Sequence, residues 1–188
     1  MNNLFEDYVT NVVSVIKSIN LAKLEEVCDL LISVRGKSNF IFLAGNGGSA
    51  ATAEHMAIDL MFGSKAQSPS FKTICLSSNS SSLSATGNDR GNEYIFSRQL
   101  KNLGQKGDLL IVISASGNSK NLIIAVEKAK QLEIKTLGIL GFDGGELIRL
   151  VDDYIHAETE IGAYGIAEDV HLMINHMLVE YFKERFKS

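Results

Sequence analysis

The chain of 188 residues has the length of one domain with a substantial core, and 45% apolar and 21% charged residues are typical of a soluble globular protein. A net charge of −4 gives no support to nucleic-acid binding, which usually shows a basic patch. No apolar run reaches the ~20 residues of a membrane span. We therefore expect a partner that is neither nucleic acid nor membrane.

Two further features bear on where the protein works. The first residues include Glu6 and Asp7 and lack the basic stretch of a secretion signal, which predicts a cytoplasmic location. Cys28 and Cys75 lie in apolar segments far apart in the sequence. We expect buried free thiols there rather than a disulfide or a local metal pair.

The N-terminal segment, residues 1–35, has the apolar spacing of helices. Leu4, Tyr8 and Val12 recur at four-residue steps, and a similar pattern resumes after Asn20, which predicts two helices with a break near that residue. We expect this segment to pack on the rest of the domain or on a partner subunit.

The rest of the chain alternates between short apolar runs and helical patterns. The runs predict strands at 39–44, 71–76, 108–113, 135–140 and 153–157. The helical patterns predict helices at 50–61, 92–103, 118–132, 146–150 and 166–186. This alternation predicts one α/β domain over residues 1–188, with a parallel sheet between helical layers.

The loop after the first predicted strand combines three glycines with Asn46 and Ser49 in residues 45–51. Glycines let the backbone approach a ligand closely, and the helix that follows offers free N–H groups and its positive end. A tight turn would explain the glycines alone, whereas the added Asn and Ser favour a ligand site. The loop has the spacing of neither a dinucleotide fingerprint nor a Walker loop.

The loop after the third predicted strand carries three hydroxyls, on Ser114, Ser116 and Ser119, at the start of the next helix. Hydroxyls and backbone amides together can surround a phosphate without any Lys or Arg. A single serine would suffice to cap the helix, so the three serines favour a phosphate site.

A third candidate loop, residues 84–89, follows the second predicted strand and the Ser-rich stretch 77–82, which we interpret as a strand-to-helix connection with an N-cap. Its Asn88 and Asp89 are candidate hydroxyl binders. Gly-Asn-Asp is also a common turn. Only its position at the ligand-binding end of the sheet favours a role in ligand binding.

Titratable residues cluster on two predicted helices. His55 and Asp59 are four residues apart and share a helix face. On the last helix, Glu168 and His176 point about 80° apart, whereas His171 and His176 diverge by roughly 140°. Two histidines and two carboxylates suit zinc or a similar ion. Histidines on apolar helix faces are also commonly core residues, so the spacing leaves both interpretations open.

These residues resemble those of the bacterial phosphoheptose isomerases, which are sugar isomerase (SIS) domain proteins. The motifs that carry the resemblance follow the same order and span nearly the whole chain. They are 45–51 (GNGGSAA), 87–89 (GND), 96–99 (FSRQ), 113–119 (ISASGNS) and 168–171 (EDVH).

The resemblance implies a three-layer α-β-α sandwich with a flavodoxin-like, five-stranded parallel sheet, and a homotetramer. It implies the isomerisation of sedoheptulose 7-phosphate to D-glycero-D-manno-heptose 7-phosphate for lipopolysaccharide or capsule. By position, the substrate-binding residues would be Asn46, Gly47, Gly48, Ser49, Asn88, Asp89, Ser114, Ala115, Ser116, Ser119 and Glu168. The ligands of zinc or another divalent metal would be His55, Asp59, Glu168 and His176.

The family's general base and general acid fall on Asp59 and His176. Isomerisation through an enediol needs a base near the substrate carbon and an acid near the carbonyl oxygen. The family usually has Glu at Asp59 and Gln at Glu168, and it usually has Arg-Ile-Gln-Glu where this chain reads 166–169 (IAED). Asp59 would set the base about 1.5 Å back. Both positions keep an oxygen ligand, which favours a site with altered specificity over an inactive one.

Two alternatives follow from these departures. One is a non-catalytic SIS protein that senses sugar phosphates or binds a bacterial replication initiator. The other is an isomerase of another phosphosugar.

Overall fold

The computed structural model describes residues 3–66 and 69–187. The strands are β1 (Phe40–Gly45), β2 (Lys72–Cys75), β3 (Leu109–Ser114), β4 (Lys135–Leu140) and β5 (Asp153–His156). The helices are α1 (Asn3–Ser18), α2 (Leu21–Gly36), α3 (Gly48–Ile58), α4 (Ser80–Arg90), α5 (Ser97–Leu103), α6 (Lys120–Gln131), α7 (Leu147–Leu150) and α8 (Tyr164–Arg185). A π turn, Asp59–Gly63, continues α3, and a 3₁₀ turn, Asn92–Tyr94, precedes α5.

The five strands form one parallel sheet in the order β2-β1-β3-β4-β5. This is the flavodoxin-like order, in which the strand sequence reverses between β1 and β3. The predicted fold class is therefore confirmed.

Alternate residues of each central strand serve two separate cores. Ile41 and Leu43 of β1 face a core built with α2, α3 and α8, whereas Phe42 and Ala44 face one built with α5, α6 and α7. Because successive side chains of a strand point to opposite faces, the continuous apolar run of β1 fills both cores. Helices thus cover both faces of the sheet.

The N-terminal helix lies on the outside of the first core. None of the residues of α1 is fully buried, although Val12, Val15 and Ile16 pack partly against that core. The Tyr8 hydroxyl donates a hydrogen bond of 2.7 Å to Asp169 Oδ2 of α8. The described part of the segment 1–35 thus packs on the rest of the chain. Met1 and Asn2 lie outside the described residues.

The prediction of a loop at 84–89 is wrong, because these residues belong to α4. The side chain of Asn79 accepts a hydrogen bond of 3.0 Å from the Ser82 backbone and caps the helix, which Gly91 ends with φ +108°. The stretch is poor in apolar residues, with Leu83 packed against the second core, so it lacks the periodicity that identifies a helix. The predicted helix 92–103 is likewise divided into the 3₁₀ turn and α5.

The cysteines are free thiols, as predicted: Cys28 is buried and Cys75 is half-buried. Burial raises the pKa of the Cys28 thiol to about 12. Within the described ranges, no helix is both long and apolar enough to cross a membrane.

Candidate active site

The serine loop, residues 114–119, is held by its own hydrogen bonds at the carboxyl end of β3. Ser114 Oγ accepts from the Gly117 amide at 3.0 Å, and Ser116 Oγ accepts from the Asn118 amide at 3.2 Å. Gly117 adopts φ +64°, and a side chain there would collide with the Gly144 carbonyl. Ser119 is the N-cap residue of α6 but makes no side-chain capping hydrogen bond. Its hydroxyl therefore remains available for a ligand.

A cavity of about 140 Å³ lies between the serine loop and the start of α3. Its lining includes seven of the predicted substrate-binding residues: Asn46, Ser49, Ser114, Ala115, Ser116, Ser119 and Glu168. The N-terminal ends of α3 and α6 border it, and free N–H groups at helix N-termini favour anions. Hydroxyls, backbone amides and two helix ends at one cavity suit a phosphate group.

Glu168 lies against the first residue of α3. A side chain at Gly48 would collide with the carboxylate of Glu168, so the missing side chain makes room for this acid. A carboxylate at the positive end of a helix dipole is stabilised there. Glu168 therefore adds negative charge to the cavity wall, one turn along α8 from Tyr164.

Two residues at this site were not predicted from the sequence. Tyr164 lines the cavity, with its ring edge-on to Phe142 at a centroid distance of 4.9 Å. Asn121 exchanges two hydrogen bonds of 2.9 Å with Asn46, which ties the glycine loop to α6. Asn121 follows the serine loop by two residues, and that proximity was the only signal in the sequence.

The predicted substrate residues Asn88 and Asp89 are not among the residues that line this cavity. Both lie in the last turn of α4, where Asn88 Nδ2 is 3.2 Å from Asp89 Oδ1. Gly47 and Gly48 form the turn into α3 beside the cavity.

Three of the four predicted metal ligands come together at the other end of α3. The ligand atoms of His55, Asp59 and His176 all lie within 4.8 Å of one another. His55 Nε2 is 3.3 Å from Asp59 Oδ2, and the two imidazole rings are edge-on at 5.2 Å. The His55 side chain is 47% exposed, so solvent or a substrate can reach the group. Two nitrogen ligands and one oxygen ligand with an open side fit a catalytic zinc ion.

Glu168 is not part of this group. It precedes His176 by eight residues on α8, a rise of about 12 Å, and it contacts the opposite end of α3. The angle of about 80° that the sequence predicts between Glu168 and His176 is a rotation about the helix axis and takes no account of distance along that axis. The axial separation places them two turns apart, so within one chain the four predicted ligands do not meet.

His171 is fully buried, and it lies outside the His55 group, in keeping with its divergence of roughly 140° from His176. Burial lowers the pKa of His171 to about 4. The Leu140 backbone acts to raise this pKa, whereas nearby His156 acts to lower it further. The imidazole is therefore neutral near pH 7.

Asn175 is a further residue that was not predicted from the sequence. It is fully buried on α8, and its Nδ2 donates a hydrogen bond of 2.7 Å to Asp59 Oδ2. Asp59 itself begins the π turn, in which the Ser64 amide bonds to the Asp59 carbonyl at 2.8 Å. Single π turns inside helices are frequent at functional sites.

Comparisons with known proteins identify the family of the chain. The model of the SIS domain family matches residues 4–141. A phosphoheptose isomerase of Nitratiruptor sp. is 44% identical over 78% of this chain and 77% of its own length, and one of Aneurinibacillus thermoaerophilus is 35% identical over 98% and 94%. The chain belongs to the phosphoheptose isomerase family of SIS domain proteins.

Solved structures extend the family likeness to α8, which lies beyond the SIS domain match. The phosphoheptose isomerase GmhA from Neisseria gonorrhoeae superposes with a TM-score of 0.84 at 26% identity, over 96% of this chain and 95% of that one. The enzyme from Francisella tularensis gives 0.85 at 25% identity, over 97% and 96%. The phosphoheptose isomerase fold thus includes the helix that carries Glu168, Asn175 and His176.

Proposed function

We propose that this protein is an aldose–ketose isomerase that converts sedoheptulose 7-phosphate to D-glycero-D-manno-heptose 7-phosphate. Two features of the structure carry the proposal. One is the cavity at the serine loop, which suits an anion, and the other is the acid–base group of His55, Asp59 and His176 at the far end of α3. The family of the chain supports the same reaction.

The proposed chemistry assigns a proton transfer to each of two side chains. Asp59 takes a proton from C1 of the ketose while His176 gives a proton to the carbonyl oxygen on C2, which yields the enediol. His176 then removes the proton of the C1 hydroxyl, and Asp59 returns its proton to C2, which leaves the aldehyde at C1. The serine loop and the ends of α3 and α6 hold the phosphate throughout.

We propose His55, Asp59 and His176 as ligands of zinc or another divalent ion. When bound, such an ion would polarise substrate oxygens as a Lewis acid. Each ligand side chain has a second ring nitrogen or carboxylate oxygen. A residue could therefore hold the ion and still exchange a proton.

The proposed assembly is a homotetramer in a cytoplasmic setting, with active sites shared between chains. Large apolar side chains beside the acid–base group are exposed: Ile58 is 56% and Phe62 is 69% exposed. Such side chains mark interaction surfaces when they cluster. The residues Asn88 and Asp89, which do not line the cavity of their own chain, could then serve the site of a neighbour.

One experiment tests the activity and the metal together. Purified protein is dialysed, its zinc content is measured, and turnover is followed on sedoheptulose 7-phosphate and on a panel of other phosphosugars. We expect turnover and bound metal, with both lowered in His55→Ala but not in His156→Ala, because His156 lies outside the group. Zinc-free protein with no turnover on any phosphosugar would favour a non-catalytic SIS protein.

A further inference from the structure

Asn175 is a polar residue on the buried face of α8, where the other buried side chains, apart from His171, are apolar. The buried neighbours Ile174, Leu178 and Phe182 all belong to the first core, and Asn175 is as buried as they are, with 0% exposure. Burying an amide is unfavourable unless its polar atoms find partners. The position therefore requires a physical explanation.

The hydrogen bond to Asp59 satisfies only half of the Asn175 side chain. Nδ2 donates to Asp59 Oδ2 at 2.7 Å, but Oδ1 is buried without a hydrogen-bond partner among the described residues. An unsatisfied buried acceptor destabilises a fold, and an apolar side chain of similar size would avoid that penalty. Stability alone does not account for an Asn here. Such local conflicts are expected at functional sites.

The contact fixes one oxygen of the Asp59 carboxylate and leaves the other oxygen directed elsewhere. Oδ2 lies between Asn175 Nδ2 and His55 Nε2, at 2.7 and 3.3 Å. Oδ1 lies on the side of Gly63, where an added Cβ would be 3.3 Å away. With Oδ2 fixed, the carboxylate has little freedom to rotate. Displacements of about 1 Å at a reacting group can cost a hundredfold in rate.

We propose that Asn175 is a positioning residue that holds the Asp59 carboxylate in the orientation needed for proton transfer. This inference rests on the isomerase function proposed above. Asn175 does not line the phosphate cavity, so its effect passes through Asp59 and not through substrate binding.

The first test is the kinetics of Asn175→Leu, which keeps the side-chain size and removes the donor. We expect kcat on sedoheptulose 7-phosphate to fall about ten- to a hundredfold, with KM within about twofold of wild type. Phe182→Leu is the matched control, since Phe182 is buried on the same helix two turns further on. It should lower the melting temperature and leave kcat unchanged. An unchanged kcat in Asn175→Leu would overturn the proposal.

A double-mutant cycle separates positioning from general damage. In the Asp59→Ala background the carboxylate is gone, so adding Asn175→Leu should cause no further loss of the residual turnover. Losses that multiply would instead show that Asn175 acts independently of Asp59, and the inference would be wrong.

A cycle on stability tests the contact between Asn175 and Asp59 without any turnover, so a failure of the contact and a failure of the proposed function can be told apart. The midpoints of urea unfolding are compared for Asn175→Leu, Asp59→Ala and the double variant. Non-additive shifts are expected from two residues that share a hydrogen bond. Additive shifts would contradict the contact itself.

Discussion

The carboxylate of Glu168 occupies the space into which a side chain at Gly48 would project. This pair joins α8 to the first turn of α3 and sets the charge of the cavity wall. It also gives the glycine a role at the site, because an added side chain would meet the Glu168 carboxylate.

Replacing Gly48 with Ala should therefore affect substrate binding more than folding. The new methyl group displaces the flexible end of Glu168, which can move at little cost in stability. We expect a rise in KM for the sugar phosphate with a nearly unchanged melting temperature. Gly36→Ala is the control, because no atom lies within 4 Å of its added Cβ. Equal KM values for both variants would refute the role of the Glu168–Gly48 contact.

Ser119→Ala should raise KM without lowering stability. The Ser119 hydroxyl makes no capping bond, so its loss costs α6 little, whereas a hydrogen bond to a charged phosphate contributes about 1.5–3 kcal/mol, or roughly ten- to a hundredfold in KM. Asn79→Ala gives the reverse pattern. Its side chain caps α4, and its removal should cost about 1 kcal/mol of unfolding free energy with unchanged KM. Urea unfolding and steady-state kinetics on both variants decide the matter.

His171 should make the fold sensitive to acid. The pKa of His171 is about 4 in the folded state and about 6.5 for an ordinary histidine in an unfolded chain, so between these values the unfolded chain binds more protons. Stability is then lost as the pH falls from about 6.5 to about 4, by up to roughly 3 kcal/mol. His171→Leu should flatten this dependence in urea unfolding curves. As a control, Ile174→Val should lower the free energy of unfolding by the same amount at every pH. If the stability of His171→Leu depends on pH as steeply as that of the wild type, His171 is not the cause.

The shared active site can be tested by mixing two inactive variants. Ser119→Glu places a carboxylate at the proposed phosphate site, and Asp59→Asn removes the proposed base. If each site combines the cavity of one chain with the acid–base group of another, random hybrid tetramers regain about a quarter of the activity. Sites confined to single chains leave the mixture inactive, and refolded homotetramers of each variant give the baseline.

The layout of the sheet could be predicted from the sequence because parallel strands buried on both faces leave continuous apolar runs. All five strands begin and end within one residue of the predicted positions. Helix α4 was missed because its hydroxyl and amide side chains, from Ser80 to Asp89, carry almost no apolar periodicity. Its start is determined by the cap at Asn79.

The site was only partly predictable because motifs give position along the chain and not distance in space. The residues of the serine loop, and His55 with Asp59, are close together in the sequence. Their proximity in space could therefore be predicted from spacing alone. The separation of Glu168 from His176 depends on helix rise, and the bond from Asn175 to Asp59 joins residues 116 positions apart. No local pattern in the sequence contains such contacts.

The π turn at Asp59–Gly63 gives the chain one extra residue in that turn compared with ordinary helical winding. The local geometry around Asp59 is thus encoded in a residue count. A point substitution leaves that count intact, but deletion of one residue between Asp59 and Gly63 would allow α3 to continue as an α-helix. Asp59 would then lie in ordinary α-helical winding and would lose the wider turn that now follows it. In this region the enzyme should tolerate many single substitutions better than any one-residue deletion.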